Sequence, residues 1–384
     1  MPSQRLRLVY PETRTESHCD IRVGEGIWSG LATDLAGLTG SRRAAIITDQ
    51  TVGRLYLAKV QAGLAAAGWD LIELLVPGGE NANCADARQP EQLTAVWRAL
   101  AQAGIGRQDL MIALGGRSVG DLAAFAADSW QGGIGCVQLP TTLSAMADPI
   151  ITRPAHLLIP EGERLVGIYH HPLFMSCDLQ VLGSLTDRQW RSGLLQITKA
   201  ALVSGPEDWR WLASRLGSLL AHDSAACQEA IVRAVSSALR LSAEDLQSSS
   251  SDSRLLLDFG LDFADALRAL SGYTLDRAAT LAEGLRFAAR LAVEAVGAPV
   301  ALADDIDALL AAIGYPGLEI ADCQGIDADT LFDRLTNGWQ PGQPRQGLPM
   351  VLAKAPGQLE LCQVDADLVK IYLIYWEQAR RQEA

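Results

Sequence analysis

A change of hydrophobic period near residue 185 constrains the fold more than any other feature of the chain. Before it, short β-rich apolar runs, "AAIITDQ" (44–50), "DLIELLVPGGE" (70–80), "DLMIALGG" (109–116) and "GCVQLP" (135–140), are separated by Ala/Leu segments such as "LAKVQAGLAAAG" and "LTAVWRALAQAG". That alternation predicts parallel strands joined by crossover helices, an α/β half of nucleotide-binding type. After it the strand signal disappears, and "DRQWRSGLLQITKAALV", "ACQEAIVRAVSSALRLSAEDL", "LLLDFGLDFADALRAL" (255–270), "RAATLAEGLRFAARLAVEAVG" and "DDIDALLAAIG" are helix-periodic. "QSSSSDS" (247–253) reads as a polar loop, "NGWQPGQPRQGLP" (337–349) as a turn-rich connection, and "VLAKAPGQLELCQVD" as a returning hairpin. The expected organisation is therefore an α/β domain over residues 1–180 and a helical domain over 181–384, with no internal repeat.

A chain of 384 residues exceeds what one hydrophobic core serves, so two domains sharing a cleft are expected. The net charge of -13 repels phosphate backbones and anionic lipid, which argues against nucleic acid and membrane as partners. "MPSQRLRLVYPETRTESH" lacks the apolar stretch of a signal peptide, and no apolar run reaches the ~18 residues that span a bilayer. A cytoplasmic protein is expected. The seven cysteines contain no CxxC pair and read as reduced core thiols, and the five histidines offer only one adjacent pair, His170 and His171, so zinc has few donors. That pair precedes Pro172 and reads as surface or hydrogen-bonded turn residues; the tryptophans, Trp190, Trp209 and Trp211 among them, read as helix packing.

Two stretches carry candidate chemistry. In "LLLDFGLDFADALRAL" the residues Asp258, Asp262 and Asp265 fall at i, i+4 and i+7, so three carboxylates share one helical face. That face is either solvated or lines a cleft. In "LGGRSVGDLAAFAADSW" (114–130) a strand end, a glycine turn and a helix opening follow one another. This is either a tight turn or a place where free backbone N–H groups meet an anion such as a pyrophosphate.

The second stretch, the following "GIGCVQLPTTLSAMAD" (133–148), "GERLVGIYHHP" (162–172), "SGLLQITKAALV" (192–203) and "LLLDFGLDFADAL" (255–267) come in the order and spacing of the 3-dehydroquinate synthase family. Over nearly its whole length the chain resembles this family and the wider sugar-phosphate cyclases, which include makers of cyclitol and aminoquinate precursors in secondary metabolism. The resemblance implies a Rossmann-like N-terminal domain that binds NAD, an all-helical C-terminal domain with a catalytic zinc, and a homodimer. It also implies oxidation of a sugar-phosphate alcohol, phosphate elimination, reduction and aldol closure of a carbocycle.

In the family, zinc is held by one glutamate and two histidines. The glutamate of a motif like AEVIK becomes Gln196 in "LQITK", although Lys199 is kept. A motif like NxGHxxGH reads "DFGLDFAD", with Leu261 at the ligand position and Asp265 at that of a catalytic histidine. The remaining ligand, which opens a motif like HGEAVAxGM, becomes Arg277, or Asp276 if the register slips by one. An aliphatic group cannot coordinate, a neutral amide is a poor ligand and arginine brings a fixed positive charge, so the expectation is no zinc. A minor variant has Gln196, Asp265 and Asp276 holding a hard cation such as Mg2+, against buried carboxylates paired with Arg254 or Arg277.

Much of the phosphate clamp changes as well. Where the family has lysines and an asparagine this chain has Pro154, Glu163 and Arg164, Gly132 stands for an arginine, and the late DKK motif has no counterpart in "WQPGQPRQG". Lys199, Arg254 and Asp148 still match substrate contacts. Asp49, Glu80, Gly115, Gly116, Gly120, Asp121, Thr141 and Thr142 match cofactor positions, whereas Arg117 replaces the third glycine of the turn and Asn83 a lysine. Arginine at that point can fill the pyrophosphate space or pair with the phosphates. By resemblance Asp258 and Asp265 replace cleft residues, and Asp262 reads as ordinary surface.

Two functions are therefore expected. The first is a family member that has lost the zinc-dependent reaction and serves as a non-catalytic partner or regulator, as a homodimer or paired with an active cyclase, interfaces outlasting active sites because packing and chemistry use different residues. The second is a metal-independent enzyme of natural-product biosynthesis in which Lys199, Arg254, Asp258, Asp265 and Asp148 form an acid/base group on a small-molecule ligand, the cleft shifting their pKa values toward neutrality.

Overall fold

The computed structural model describes residues 18–78, 86–148, 150–247, 253–319, 323, 325–337 and 347–382. Its strands are β1 (Asp20–Gly24), β2 (Arg43–Asp49), β3 (Asp70–Val76), β4 (Leu110–Gly115), β5 (Gly135–Pro140), β6 (Ala155–Ile159), β7 (Gly162–Ile168), β8 (Phe174–Asp178), β9 (Leu348–Ala355) and β10 (Gln358–Val364). Six of them form one parallel sheet in the order β1-β8-β5-β4-β2-β3. The four apolar runs of the sequence are β2 to β5, with β2, β4 and β5 inside the sheet and β3 at its edge. Both β1 and β8 escape that reading, because "DIRVG" is a half-exposed edge strand and "FMSCD" ends on an aspartate.

The helices are α1 (Leu31–Ala36), α2 (Gln50–Val52), α3 (Ala58–Ala66), α4 (Pro90–Ala103), α5 (Arg117–Ser129), α6 (Leu143–Ala147), α7 (Asp187–Ser204), α8 (Pro206–Leu220), α9 (Ser224–Gln247), α10 (Leu261–Leu270), α11 (Arg277–Val296), α12 (Val300–Ile313), α13 (Ala328–Asn337) and α14 (Ala366–Gln382). The first six connect or flank the strands, while α7 to α14 build the helical half. Side chains alternate across the sheet, so Ala45 and Ile47 join an apolar core with α4 and α5, while Ala44 and Ile46 face a core that runs on into α7 and α11. One continuous core thus ties the helical half to one sheet face. The returning hairpin forms as expected from β9 and β10, and β6 with β7 makes a second hairpin that the sequence did not announce. Among the described residues no helix is long and apolar enough to cross a membrane.

The opening helix of the carboxylate motif is interrupted. Ser253–Asp258 is a 3-10 turn, Gly260 sits at φ +77°, and α10 begins only at Leu261. The glycine is required because its backbone lies against α11: a Cβ on Gly284 would stand 1.9 Å from the Gly260 carbonyl oxygen. Gly284→Ala is therefore expected to destabilise the chain by about 1–3 kcal/mol, checked by urea unfolding, through forced separation of α10 and α11.

Candidate functional site

Arg164 of β7 gathers the three carboxylates. Its guanidinium lies 3.0 Å from Asp258, 3.0 Å from Asp262 and 2.5 Å from Asp265. Gly260 breaks the helix, yet the three side chains still converge, so the shared face survives with a partner from another hairpin. Asp262 is a correction to the sequence reading: it is an ion-pair member, not ordinary surface. Among the described residues the pairing arginine is Arg164, while Arg277 pairs with Glu163 instead; the Arg254 side chain lies outside the described residues. Burial pushes the Asp258 and Asp262 carboxyls up, with Arg164 opposing it in both.

The neighbouring Glu163 is the hub of a second network. Only 3 % of its side chain is exposed, and it pairs with Arg268, with Arg277 at 2.9 Å and with Arg88 at 3.5 Å. Arg88 in turn pairs with Asp86 at 2.7 Å. Burial would raise the Glu163 carboxyl, but Arg277, Arg88 and Arg268 outweigh it and hold it at about 2. These two networks are what sequence reasoning missed. A signal existed: an acid (Glu163) stands where the family has a lysine and an arginine (Arg277) where it has a histidine, and the two charges meet.

A third cluster joins the sheet ends to α7. Arg117 reaches Asp148 at 2.5 Å, Arg153 lies 3.7 Å from Asp148, and Arg153 makes an ion pair of 2.8 Å with the fully buried Asp121. Lys199, on the buried face of α7, feels this cluster. Burial lowers its pKa, Asp148 opposes that, and Arg117 reinforces it. Burial tends to raise Asp148, but Lys199, Arg117 and Arg153 prevail and hold it well below the usual carboxylate range. The expected drift toward neutrality thus holds in direction for Lys199 and Asp258, is reversed for Asp148, and Asp265 is tied up by Arg164.

The residues at the three zinc-ligand positions do not form a donor set. Gln196 has a buried side-chain oxygen without a hydrogen-bond partner, Leu261 is apolar, and Arg277 is bound to Glu163. Among the described residues no three His, Cys, Asp or Glu side chains cluster to hold a metal. The hard-cation variant also fails on geometry. Asp265 belongs to Arg164, while Asp276 caps α11 by accepting from the Ala278 and Ala279 N–H groups at 2.7 and 2.9 Å and pairs with Arg188.

Several cofactor positions have structural duties of their own. Asp49 caps α2 by accepting from the Thr51 and Val52 N–H groups at 2.8 and 3.0 Å, and Thr142 caps α6 through Ala145 at 3.2 Å. A Cβ on Gly115 would stand 2.7 Å from Val119, one on Gly120 2.9 Å from the Gln138 side chain and one on Gly116 3.3 Å from Thr142, so strand–helix packing alone asks for small residues there. Two features remain open to a ligand: α5 starts without a side-chain cap, and the buried Thr141 hydroxyl has no hydrogen-bond partner. Glu80 and Asn83 lie outside the described residues. His170 is hydrogen-bonded to Asp128 at 3.2 Å, as a turn residue would be.

A parallel sheet half, a helical half on one face and a polar seam between them define a class already known from solved structures. Over 98% of this chain and 100% of the other, the structure superimposes on a 2-epi-5-epi-valiolone synthase from Streptomyces hygroscopicus subsp. jinggangensis 5008, solved with NAD+ and Zn2+ bound, with a TM-score of 0.81 at 22% identity. A 2-deoxy-scyllo-inosose synthase gives 0.77 at 20% identity over 92% of this chain and 95% of that one. At such identities the likeness shows the fold.

Sequence comparison takes the assignment further. Residues 74–192 match the 3-dehydroquinate synthase N-terminal family and residues 193–337 its C-terminal counterpart. A 3-dehydroquinate synthase of Paracoccus denitrificans (strain Pd 1222) is 35% identical over 80% of this chain and 82% of its own length. The chain belongs to the 3-dehydroquinate synthase family of sugar-phosphate cyclases.

Proposed function

We propose that this member has left the zinc-dependent cyclisation of its family and acts as a non-catalytic partner or regulator in a biosynthetic pathway, of secondary metabolism in particular. The observation that carries the proposal is the fate of the ligand positions: Arg277 lies 2.9 Å from Glu163, Gln196 offers a neutral amide and Leu261 nothing. A dication there would meet a guanidinium already committed to its own counter-ion. In this proposal the chain works in the cytoplasm as a homodimer or together with an active cyclase, through a surface that does not depend on the lost ligands.

NAD fits better than zinc. The uncapped N–H groups of α5 and the Thr141 hydroxyl would hold it, and it would supply hydride transfer when bound. Arg117 leaves the pyrophosphate turn for Asp148, so its side chain is drawn toward α7.

Stoichiometric metal analysis of the purified protein tests the proposal, together with a cyclase assay on a heptulose phosphate in the presence and absence of zinc. The expected result is no bound zinc and no carbocycle. One zinc per chain with metal-dependent turnover would overturn it.

A second reading is favoured by Lys199 and Asp258, whose environments push an ammonium down and a carboxyl up. Such a pair suits metal-free acid/base chemistry on a small molecule, with Asp148 and Arg117 as fixed charges beside it.

A further inference from the structure

The β6–β7 hairpin is attached to the two halves of the chain by different forces. Towards the α/β half the attachment is apolar: Leu157 is buried in the core of α4 and α5 with Val166 packed against it, and Ala155 is buried with Ala124 of α5 and with Ile168 beside it. Towards the helical half its described bonds are polar. Arg164 holds Asp258, Asp262 and Asp265 at 3.0, 3.0 and 2.5 Å, Glu163 holds Arg268 and Arg277, and Arg334 of α13 donates to the Glu161 carbonyl oxygen at 2.8 Å. Among the described residues no apolar side chain of the hairpin joins the core that runs on into α7 and α11, and Leu165, next to Arg164, is 57% exposed.

The hairpin thus reaches from the α4 and α5 face of the sheet to the helices packed on the other face. The two halves need no help from it to stay together: Gly193 of α7 lies so close to α6 that a Cβ there would stand 2.4 Å from the Leu143 Cβ, inside the continuous core. A two-stranded sheet is marginal by itself, so the order of this hairpin depends on its attachments. Salt screens partly exposed ion pairs and leaves apolar packing in place, which makes the polar attachment the one that can be undone separately.

We propose that the β6–β7 hairpin is a salt-sensitive strap across the polar seam between the halves, with Glu163 as its fixed end and Arg164 as its releasable end. The ends differ in access to water. The Glu163 side chain is 3% exposed, so counter-ions do not reach it, whereas Arg164 is 25% exposed and its three carboxylates 22–36%. One guanidinium serves all three aspartates, so its release uncovers them together. A ligand or partner that uses this part of the seam then meets a barrier set by the chain's own charges. The strap goes beyond the loss of cyclisation and suits a regulator and an enzyme alike; zinc content and carbocycle formation do not enter its test.

Native-state hydrogen exchange of the full-length, ligand-free protein tests the strap, resolved by peptide in low concentrations of urea. Release short of unfolding predicts that the amides of Gly162–Ile168 exchange at least about tenfold faster than those of the central strand Leu110–Gly115, and with a shallower urea dependence. Raising NaCl from about 0.1 M to about 1 M shortens the Debye length from about 10 Å to about 3 Å and should speed hairpin exchange about threefold to tenfold. Arg164→Leu should show fast hairpin exchange at both salt concentrations and no salt response, and Arg164→Lys, which keeps the charge and loses the fork, should recover part of that response. A pair that served global stability alone would give the hairpin the same exchange rate and urea dependence as the central strand. That result, or hairpin exchange indifferent to salt in wild type, would overturn the proposal; the wild-type series decides even if a variant fails to fold.

Discussion

Replacing Glu163 with glutamine is expected to cost the fold about 3–5 kcal/mol at neutral pH, the range for removing one partner of a buried ion pair. The effect is large because three guanidiniums, Arg88, Arg268 and Arg277, share this one carboxylate, and 3% exposure leaves little water to replace it. The folded-state pKa of Glu163 is depressed from 4.5 to about 2, so its stabilisation is fully present above 4.5 and is lost as pH falls toward 2. The gap between wild type and Glu163→Gln in urea unfolding should therefore be widest at pH 7 and shrink through that window. The gap is the readout, since Asp86, also held at about 2, titrates in the same range in both proteins. A gap below about 1 kcal/mol at pH 7 would mean that the network is ornamental.

Arg164→Leu should also cost most at neutral pH, for a different reason. Without the guanidinium, Asp258, Asp262 and Asp265 face one another on the seam, and the Asp258 and Asp262 carboxyls, already pushed up by burial, lose the charge that opposes it. The burden is then absent below the ordinary carboxylate range and grows as pH rises, so the variant's deficit against wild type shrinks on acidification from neutral pH. The four side chains are 22–36% exposed, so solvent screening limits the loss at pH 7 to about 1–3 kcal/mol. Thermal unfolding of wild type and variant at pH 5 and pH 7 checks it: a difference between the two proteins that is no smaller at pH 5 than at pH 7 contradicts this account.

Strands β2, β4 and β5 were legible because they are continuous apolar runs, edge strand β3 because its run is largely apolar, and the helical half because its apolar residues recur at helical spacing. Strands β1 and β8 and the β6–β7 hairpin were not, since short or half-exposed strands take their identity from the neighbour they pair with. Among site residues, that Gln196, Leu261 and Arg277 are poor metal donors could be read from the sequence alone, because what an atom can coordinate is a property of its residue type. That Asp49 and Thr142 act as helix caps was hidden, because a cap is defined by where a helix starts. Glu163 and Arg164 were visible only as missing family residues.

By itself the sequence determined the α/β-then-helical order and the family, both of which depend on local pattern and residue identity. Tertiary structure alone decided which charge meets which: Arg164 with three aspartates up to 101 positions away, and Glu163 with arginines from three separate segments. Ion pairing falls off with distance in space and is indifferent to distance along the chain, so no spacing rule could have supplied it.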